Sequence, residues 1–241
     1  MGAGGERELV SSYLQKFGVE AMFPAQLIAS AKLVNCGAGD KIAIQGEMPD
    51  ELLLLVEGKI KVFTTMPDGK SLILSFLNPL EVIGDIEYVQ RGMELMNTVE
   101  VVSPVTMIRF SYRHLDLYGL EQPGFLRFLL EIITRKFKMK NNSLSFNLLY
   151  PVEVRLASYL LSVCYDGAEE SGQPTARLEA GALHDAANLI GTSYRHLNRV
   201  LLQFAEDGLI ERKRSSIAVK DRTALAAIAR ENIYELQTGG L

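Results

Sequence analysis

The chain has 241 residues, 48% hydrophobic and 22% charged, a balance that builds one or two ordinary globular domains and excludes disordered or fibrous sequence. Twenty-five Lys and Arg against 29 Asp and Glu give a net charge of −4, so any contact with nucleic acid or an acidic membrane must be local. Apolar runs such as Leu52 to Val56 are far shorter than the roughly 20 residues of a spanning helix, and Met1 to Leu9 lacks an apolar signal core. The expectation is a cytoplasmic protein with no membrane partner.

In the opening Met-Gly-Ala-Gly-Gly, Gly2 stands where myristoylation occurs, but Glu6 fills the Ser/Thr position of that motif, and the stretch is left out of the fold reading. From Leu33 to Phe110 short β-rich runs alternate with turn signals: Lys41 to Ile44, Glu51 to Glu57, Lys59 to Thr65 and Ser71 to Leu77. Met66-Pro67-Asp68-Gly69 supplies one turn, Asn78-Pro79 breaks the next run, and Gly46 and Gly58 close others. This reads as an all-β sandwich or roll. After Gln122-Pro123-Gly124 the period becomes helical, with Phe125, Leu129, Ile132, Ile133, Phe137, Leu144 and Leu148 at spacings of three, four and seven. Arg127, Glu131, Arg135, Lys138 and Lys140 fall on the other face. A helix of about 25 residues is roughly 37 Å long, more than a small roll covers, so its apolar stripe points to a second copy of the helix. The alternative is a helix wholly packed on its own domain. Pro151 ends the run and places a hinge at Asn147 to Pro151, followed by an amphipathic helix from Val152 to Cys164 and a Gly-, Glu- and Pro-rich loop from Asp166 to Thr175.

Leu183 to Phe204 carries the most specific pattern. A short helix runs through Ala186, Ala187, Leu189 and Ile190, breaks at Gly191-Thr192-Ser193, and is followed by a second with Leu197, Val200, Leu201 and Phe204 inward. Gly191 suits a tight turn, Ser193 a helix cap, and Ala187 a close approach of two helices. This is helix-turn-helix spacing. The outer face of the second helix carries Tyr194, Arg195, Asn198 and Arg199, donors and acceptors suited to base edges in a major groove. Beyond it, Asp207 to Glu211 and Ile217 to Val219 read as two strands joined by a basic turn, a wing whose Lys213 and Arg214 can meet phosphates. Basic hairpin tips elsewhere are often only solvated, and position beside the helix pair is what favours contact here.

Cys36 and Cys164 lie far apart with no histidine at ligand spacing, which reads as two reduced thiols, a redox-sensing pair being the alternative; a four-cysteine iron-sulfur cluster is impossible within one chain. His114, His184 and His196 are scattered, and His196 is a candidate for a DNA backbone contact. No metal site, catalytic triad, P-loop or dinucleotide fingerprint is present in the sequence, so no catalytic residue is expected.

Taken together, the chain resembles the Crp/Fnr family of transcription regulators over nearly its whole length. The resemblance rests on Gly46, Gly58, Gly69 and Gly84 in the roll, Leu55-Val56-Glu57-Gly58, Val152-Glu153-Val154-Arg155-Leu156-Ala157, and Ile190-Gly191-Thr192-Ser193 with Arg199-Val200-Leu201 and Glu206-Asp207-Gly208-Leu209-Ile210. Tyr194-Arg195-His196-Leu197 reads most like its YeiL branch. The fold implied is α+β: an N-terminal double-stranded β-roll of the cyclic-nucleotide-binding kind (1–122), a long dimerisation helix with hinge (123–150) and a C-terminal winged helix-turn-helix domain (151–241). The function implied is that of a homodimer that binds double-stranded DNA through Ser193, Tyr194, Arg195, His196, Asn198, Arg199, Lys213 and Arg214. RNA polymerase is a further partner the resemblance allows, without a readable motif.

Family members often read bases with Glu-x-x-Ser-Arg, of which only Arg199 remains, so the operator is expected to differ from the common one. The effector pocket implied comprises Gly84, Asp85, Arg91, Leu95, Met96 and Val99. Where cyclic-nucleotide binders place Arg-Ser or Arg-Thr, this chain has Leu95-Met96, so cyclic AMP is not expected. The pocket reads as apolar; Arg91 substituting as the cation for an anion, and Leu95 and Met96 filling the space with no ligand, are the alternatives. A single histidine is enough to hold haem, which spacing leaves open. The rival function is a ligand-binding signalling module without a DNA role, with an enzyme third.

Overall fold

A computed structural model of the chain describes residues 3–69, 71–164, 178–179, 183–214 and 216–230. They fall into two compact units, one built from the chain up to Thr64 together with Leu77–Lys138, the other from Thr65–Phe76 and from Met139 onward.

The first unit opens with helices the sequence reading did not anticipate: α1 (Ala3–Lys16), a 3-10 turn (Glu20–Met22) and α2 (Ala25–Ser30). The strands that follow are β1 (Lys32–Cys36), β2 (Lys41–Ala43), β3 (Glu51–Thr65), β5 (Glu81–Ile83) and β6 (Thr98–Ser111), with α3 (Asp85–Val89) after β5 and α4 (Tyr112–Tyr118) after β6; β4 (Ser71–Leu77), between β3 and β5 in the chain, belongs to the second unit but for its last residue. Within the first unit β1, β6 and β3 are neighbours in one sheet, with β2 on β6 and β5 on β3. β1, β2 and β3 all pair antiparallel with β6, and β5 pairs antiparallel with β3. Period-two alternation turns Leu52, Leu54 and Val56 of β3 and Ile108 and Phe110 of β6 into one buried cluster with Val10 and Leu14 of α1 and Leu27 and Ile28 of α2. Phe23, just before α2, stacks on Phe110 at 5.6 Å and meets Phe128 of the next helix at 4.9 Å. Burial of each such ring contributes about 1.5–3 kcal/mol.

Gly58 does not close a strand. β3 runs unbroken through it, with register shifts against β6 between Leu55 and Ile60, so Gly58 is a bulge rather than a turn. Its φ is +82°, and a Cβ added there would sit 2.2 Å from the Pro104 carbonyl oxygen, so the neighbouring strand occupies the space a side chain would need.

The long helix α5 (Pro123–Leu149) has 27 residues, roughly 40 Å. Its apolar residues divide between two faces. Phe125, Phe128, Leu129 and Ile132 are buried in the core cluster of the first unit. Leu126, Leu130 and Phe137 are 42%, 65% and 74% exposed, and half-buried Ile133 completes a seam at steps of four, three and four. The stripe read from the sequence mixed the two, and its Leu144 and Leu148 lie outside the described side chains. Arg135, expected on a solvated face, is turned onto β5, as described below.

In the second unit, α6 (Val152–Val163) is buried nearly all round by α8 (Tyr194–Glu206) and α9 (Arg222–Ala229). Between them lie α7 (Leu183–Leu189) and a three-stranded sheet of β7 (Leu178–Glu179), β9 (Ser216–Val219) and β8 (Ile210–Arg212), in the order β7-β9-β8. The wing therefore has one strand more than the two expected. The loop from Asp166 to Thr175 lies outside the described residues. Among the described residues no helix is long and apolar enough to cross a membrane, and no group of three or more His, Cys, Asp or Glu is placed to hold a metal ion.

Candidate nucleic-acid interface and sensor cavity

The turn between α7 and α8 is built as its residues require. Gly191 takes φ +64°, Thr192 N–H donates to the Ala187 carbonyl at 2.9 Å, and Ser193 caps α8 by accepting from His196 N–H at 3.2 Å. Ala187 is buried between the helices, and Leu197, Val200, Leu201 and Phe204 face inward. On the other side, Arg195 and Arg199 are exposed and Tyr194 is 38% exposed. His196 and Asn198 are half-buried, and Asn198 Oδ1 is buried without a hydrogen-bond partner among the described residues. The outward set is thus two guanidinium groups and a phenol, with the Asn198 amide at its margin.

Two residues that sequence reasoning did not assign support this surface. Arg155 of α6 is buried beneath the turn, and its Nη1 donates to the carbonyls of Ile190 and, at 3.4 Å, Gly191. A cation on the carbonyls just past the C-terminus of α7 offsets the negative end of that helix and fixes the turn. His184, exposed on α7, stacks flat on Tyr194 with ring centroids 4.1 Å apart. In the wing, β8 pairs with β9 from Ile210↔Val219 to Arg212↔Ile217, and Lys213 N–H donates to the Ser216 carbonyl at 2.8 Å. Arg212, Lys213 and Arg214 are all exposed at its tip, Lys213 lying 3.4 Å from Glu211.

The first unit holds a cavity of about 170 Å³ lined by Gly84, Ile83, Leu53 and Leu95, and by the acidic residues Glu47, Asp50 and Glu51, the last of which is paired with Arg109. No lysine or arginine is among its described lining residues. Of the six pocket positions read from sequence, Gly84 and Leu95 line it. Val99 is buried in the sheet opposite Ala43 and Val62, and Met96 is 41% exposed. Arg91 is engaged elsewhere: it pairs with Asp116 and lies over the rings of Tyr88 and Tyr112 at 4.4 and 5.0 Å. Tyr112 hydroxyl donates to the Gly84 carbonyl at 2.7 Å, and burial raises the pKa of both phenols.

Asp85 faces α5 rather than the cavity lining. Lys136 Nζ donates to Asp85 Oδ1 at 2.8 Å and to the Val82 carbonyl at 2.6 Å. The preceding Arg135 donates to the Leu80 carbonyl at 2.5 Å and lies 2.7 Å from Glu81 Oε1. Glu81 and Asp85 are 1% and 4% exposed. Burial pushes the Glu81 carboxyl up to about 7, against the opposing pull of Arg135 and Lys136.

Comparison with known proteins adds the lineage. A cyclic nucleotide-binding domain model matches residues 33–117 and a Crp-like helix-turn-helix domain model matches residues 154–228. The chain belongs to the Crp/Fnr family of transcriptional regulators. It is 26% identical over 215 residues to a CRP-like cAMP-activated global transcriptional regulator of Mycobacterium tuberculosis, covering 88% of this chain and 95% of that one. It is 27% identical over 219 residues to the regulatory protein YeiL of Escherichia coli O157:H7, covering 91% and 95%. A solved CRP-family regulator of Thermus thermophilus superposes with a TM-score of 0.65 at 18% identity, over 86% of this chain and all of that one, a likeness of fold. The protein is a Crp/Fnr-type transcriptional regulator with a helix-turn-helix DNA-binding domain, and its relatives are regulators rather than enzymes.

Proposed function

We propose that this regulator works in the cytoplasm as a homodimer that reads a near-palindromic duplex site. In this reading 1–122 is the sensor, 123–150 the dimerisation helix and hinge, and 151–241 the DNA-binding domain. Arg195 and Arg199 read base edges with Tyr194 and Asn198 beside them, Ser193 and His196 approach the backbone, and Lys213 and Arg214 hold phosphates. The observation that carries the reading is the division of α8, which buries four apolar residues and leaves both guanidinium groups exposed. Guanidinium forks pair with the O6 and N7 of guanine, so half-sites rich in guanine are expected in place of the common family operator. Two reading helices about 34 Å apart reach successive major grooves.

The seam of Leu126, Leu130, Ile133 and Phe137 supports pairing of two α5 helices, because apolar side chains left exposed at heptad spacing gain by burying one another. The cavity supports an effector other than cyclic AMP. A cyclic phosphate brought there finds three acidic residues and no cation among the described lining residues, and loses the charge-assisted fork worth about 1.5–3 kcal/mol. An effector would act by binding one arrangement of the long helices more tightly and shifting the population toward it. RNA polymerase is the further partner this reading admits.

The test is selection from random duplexes followed by titration at several salt concentrations. A guanine-rich inverted repeat, a steep negative salt slope and no gain with cyclic AMP are expected. Recovery of the common family operator, or a gain with cyclic AMP, overturns those parts of the reading. Absence of any duplex preference favours a signalling module without a DNA role.

A further inference from the structure

Two successive cations of α5 grip the strand that leads into the cavity. Arg135 donates to the carbonyl of Leu80, just before β5, and Lys136 to that of Val82 within it, while β5 pairs with Leu53, Leu54 and Leu55 of β3. Each cation also meets a buried carboxylate, Glu81 on β5 and Asp85 at the start of α3. Between those two acids lie Ile83 and Gly84, which line the cavity. The groups that face Glu81 are therefore Arg135 and Lys136 from α5 and Asp85 from α3, while β3 presents leucines. Both Glu81 oxygens and Asp85 Oδ2 are buried without a hydrogen bond from the described residues.

The two acids are not equivalent. Asp85 accepts a directed ammonium hydrogen bond at Oδ1, whereas neither oxygen of the more deeply buried Glu81 accepts a hydrogen bond from the described residues, Oε1 having the ion-pair contact with Arg135. Ionised, Glu81 is a desolvated carboxylate offset only by Arg135 at 2.7 Å and the nearby Lys136; protonated, it gives up that ion pair together with the larger cost of desolvation, and the cation bonds to Leu80, Val82 and Asp85 persist.

From this arrangement we propose that the sensor binds a proton at Glu81 as an effector in its own right: the proton closes a clamp between α5 and the β5–α3 segment, and its loss loosens the segment that lines the cavity. The sign follows from linkage. A carboxyl raised from 4.5 to about 7 in the closed clamp, and returning to its ordinary value when the segment opens into water, makes opening easier as pH rises through that range. From those two values the opening equilibrium increases roughly 70-fold between pH 5 and pH 8. The device responds across neutrality without an organic ligand.

Amide hydrogen exchange on the full chain tests the clamp directly. Protection factors over 81–89, corrected for the intrinsic pH dependence of exchange, are expected to fall several tens-fold from pH 5 to pH 8 in the wild type and to stay flat in Glu81→Gln, which mimics the protonated acid. A wild-type profile flat with pH overturns the clamp even if the variant fails to fold, and a variant profile parallel to the wild type overturns the role of Glu81. A second arm, which rests on the DNA-binding reading above, compares the pH dependence of affinity for the selected duplex in the two proteins. Different profiles link the clamp to DNA binding, and superimposed profiles overturn that link. Loss of duplex preference at every pH instead overturns the DNA-binding reading and leaves the exchange result standing.

Discussion

Truncation of Phe137 to alanine separates the two faces of α5. Phe137 is 74% exposed on its own unit, so removing the ring disturbs no buried contact there, and the stability of the isolated fold should change by no more than about 0.5 kcal/mol. In a symmetric pair of helices the ring is buried twice. Burial of a phenylalanine stabilises by about 1.5–3 kcal/mol, and taking three-quarters of that for each copy gives about 2–4 kcal/mol per dimer. The dimer dissociation constant should therefore rise by roughly 30- to 1,000-fold. Sedimentation equilibrium over a concentration series reads this, with Arg127→Ala as a control, because Arg127 projects 75% exposed on the same helix and pairs with Glu131 one turn along it. A Phe137→Ala dimer as tight as the wild type would refute pairing through this seam.

Three further outcomes follow from local geometry. Ser193→Ala removes the cap on α8, and chemical denaturation of the second unit should show a loss of about 1 kcal/mol. Gly58→Ala drives a methyl into the Pro104 carbonyl, so urea denaturation of the first unit should show a loss of roughly 3 kcal/mol or more, or the chain fail to fold; a neutral result would contradict the bulge geometry. Burial pushes the Cys164 thiol up to about 11. At pH 8 it holds about a hundredfold less thiolate than an ordinary cysteine, so alkylation followed by peptide mapping should label half-buried Cys36 well ahead of Cys164.

The helix-turn-helix was legible because its signals are local. Gly191, Ser193 and the inward leucines each specify their conformation within a few residues, and the structure places them as their chemistry requires. The length of α5 was legible for the same reason. The division of its apolar residues was not, since a 3.6-residue period allows two stripes on one helix and only tertiary packing shows which faces the core. Arg135 and Lys136 look like surface charges in sequence, because nothing nearby announces Glu81 and Asp85 more than 50 residues away. Gly58 misled for a related reason: a glycine inside β-rich sequence marks a turn or a bulge equally well, and the close approach of Pro104 decides between them. The N-terminal helix was overlooked although Val10, Leu14 and Phe17 stand at steps of four and three. The glycine-rich start hid a real amphipathic pattern.

The measurement that bears most directly on the account is the affinity of Arg195→Ala and Arg199→Ala for the selected duplex and for a scrambled one at equal salt. Each exposed guanidinium, if it reads a base, contributes about 1–3 kcal/mol of discrimination, so each variant should lose roughly 5- to 150-fold against the selected site and far less against the scrambled one. Equal losses on both duplexes would reduce α8 to a phosphate clamp, and no loss on either would contradict its role as the reading helix.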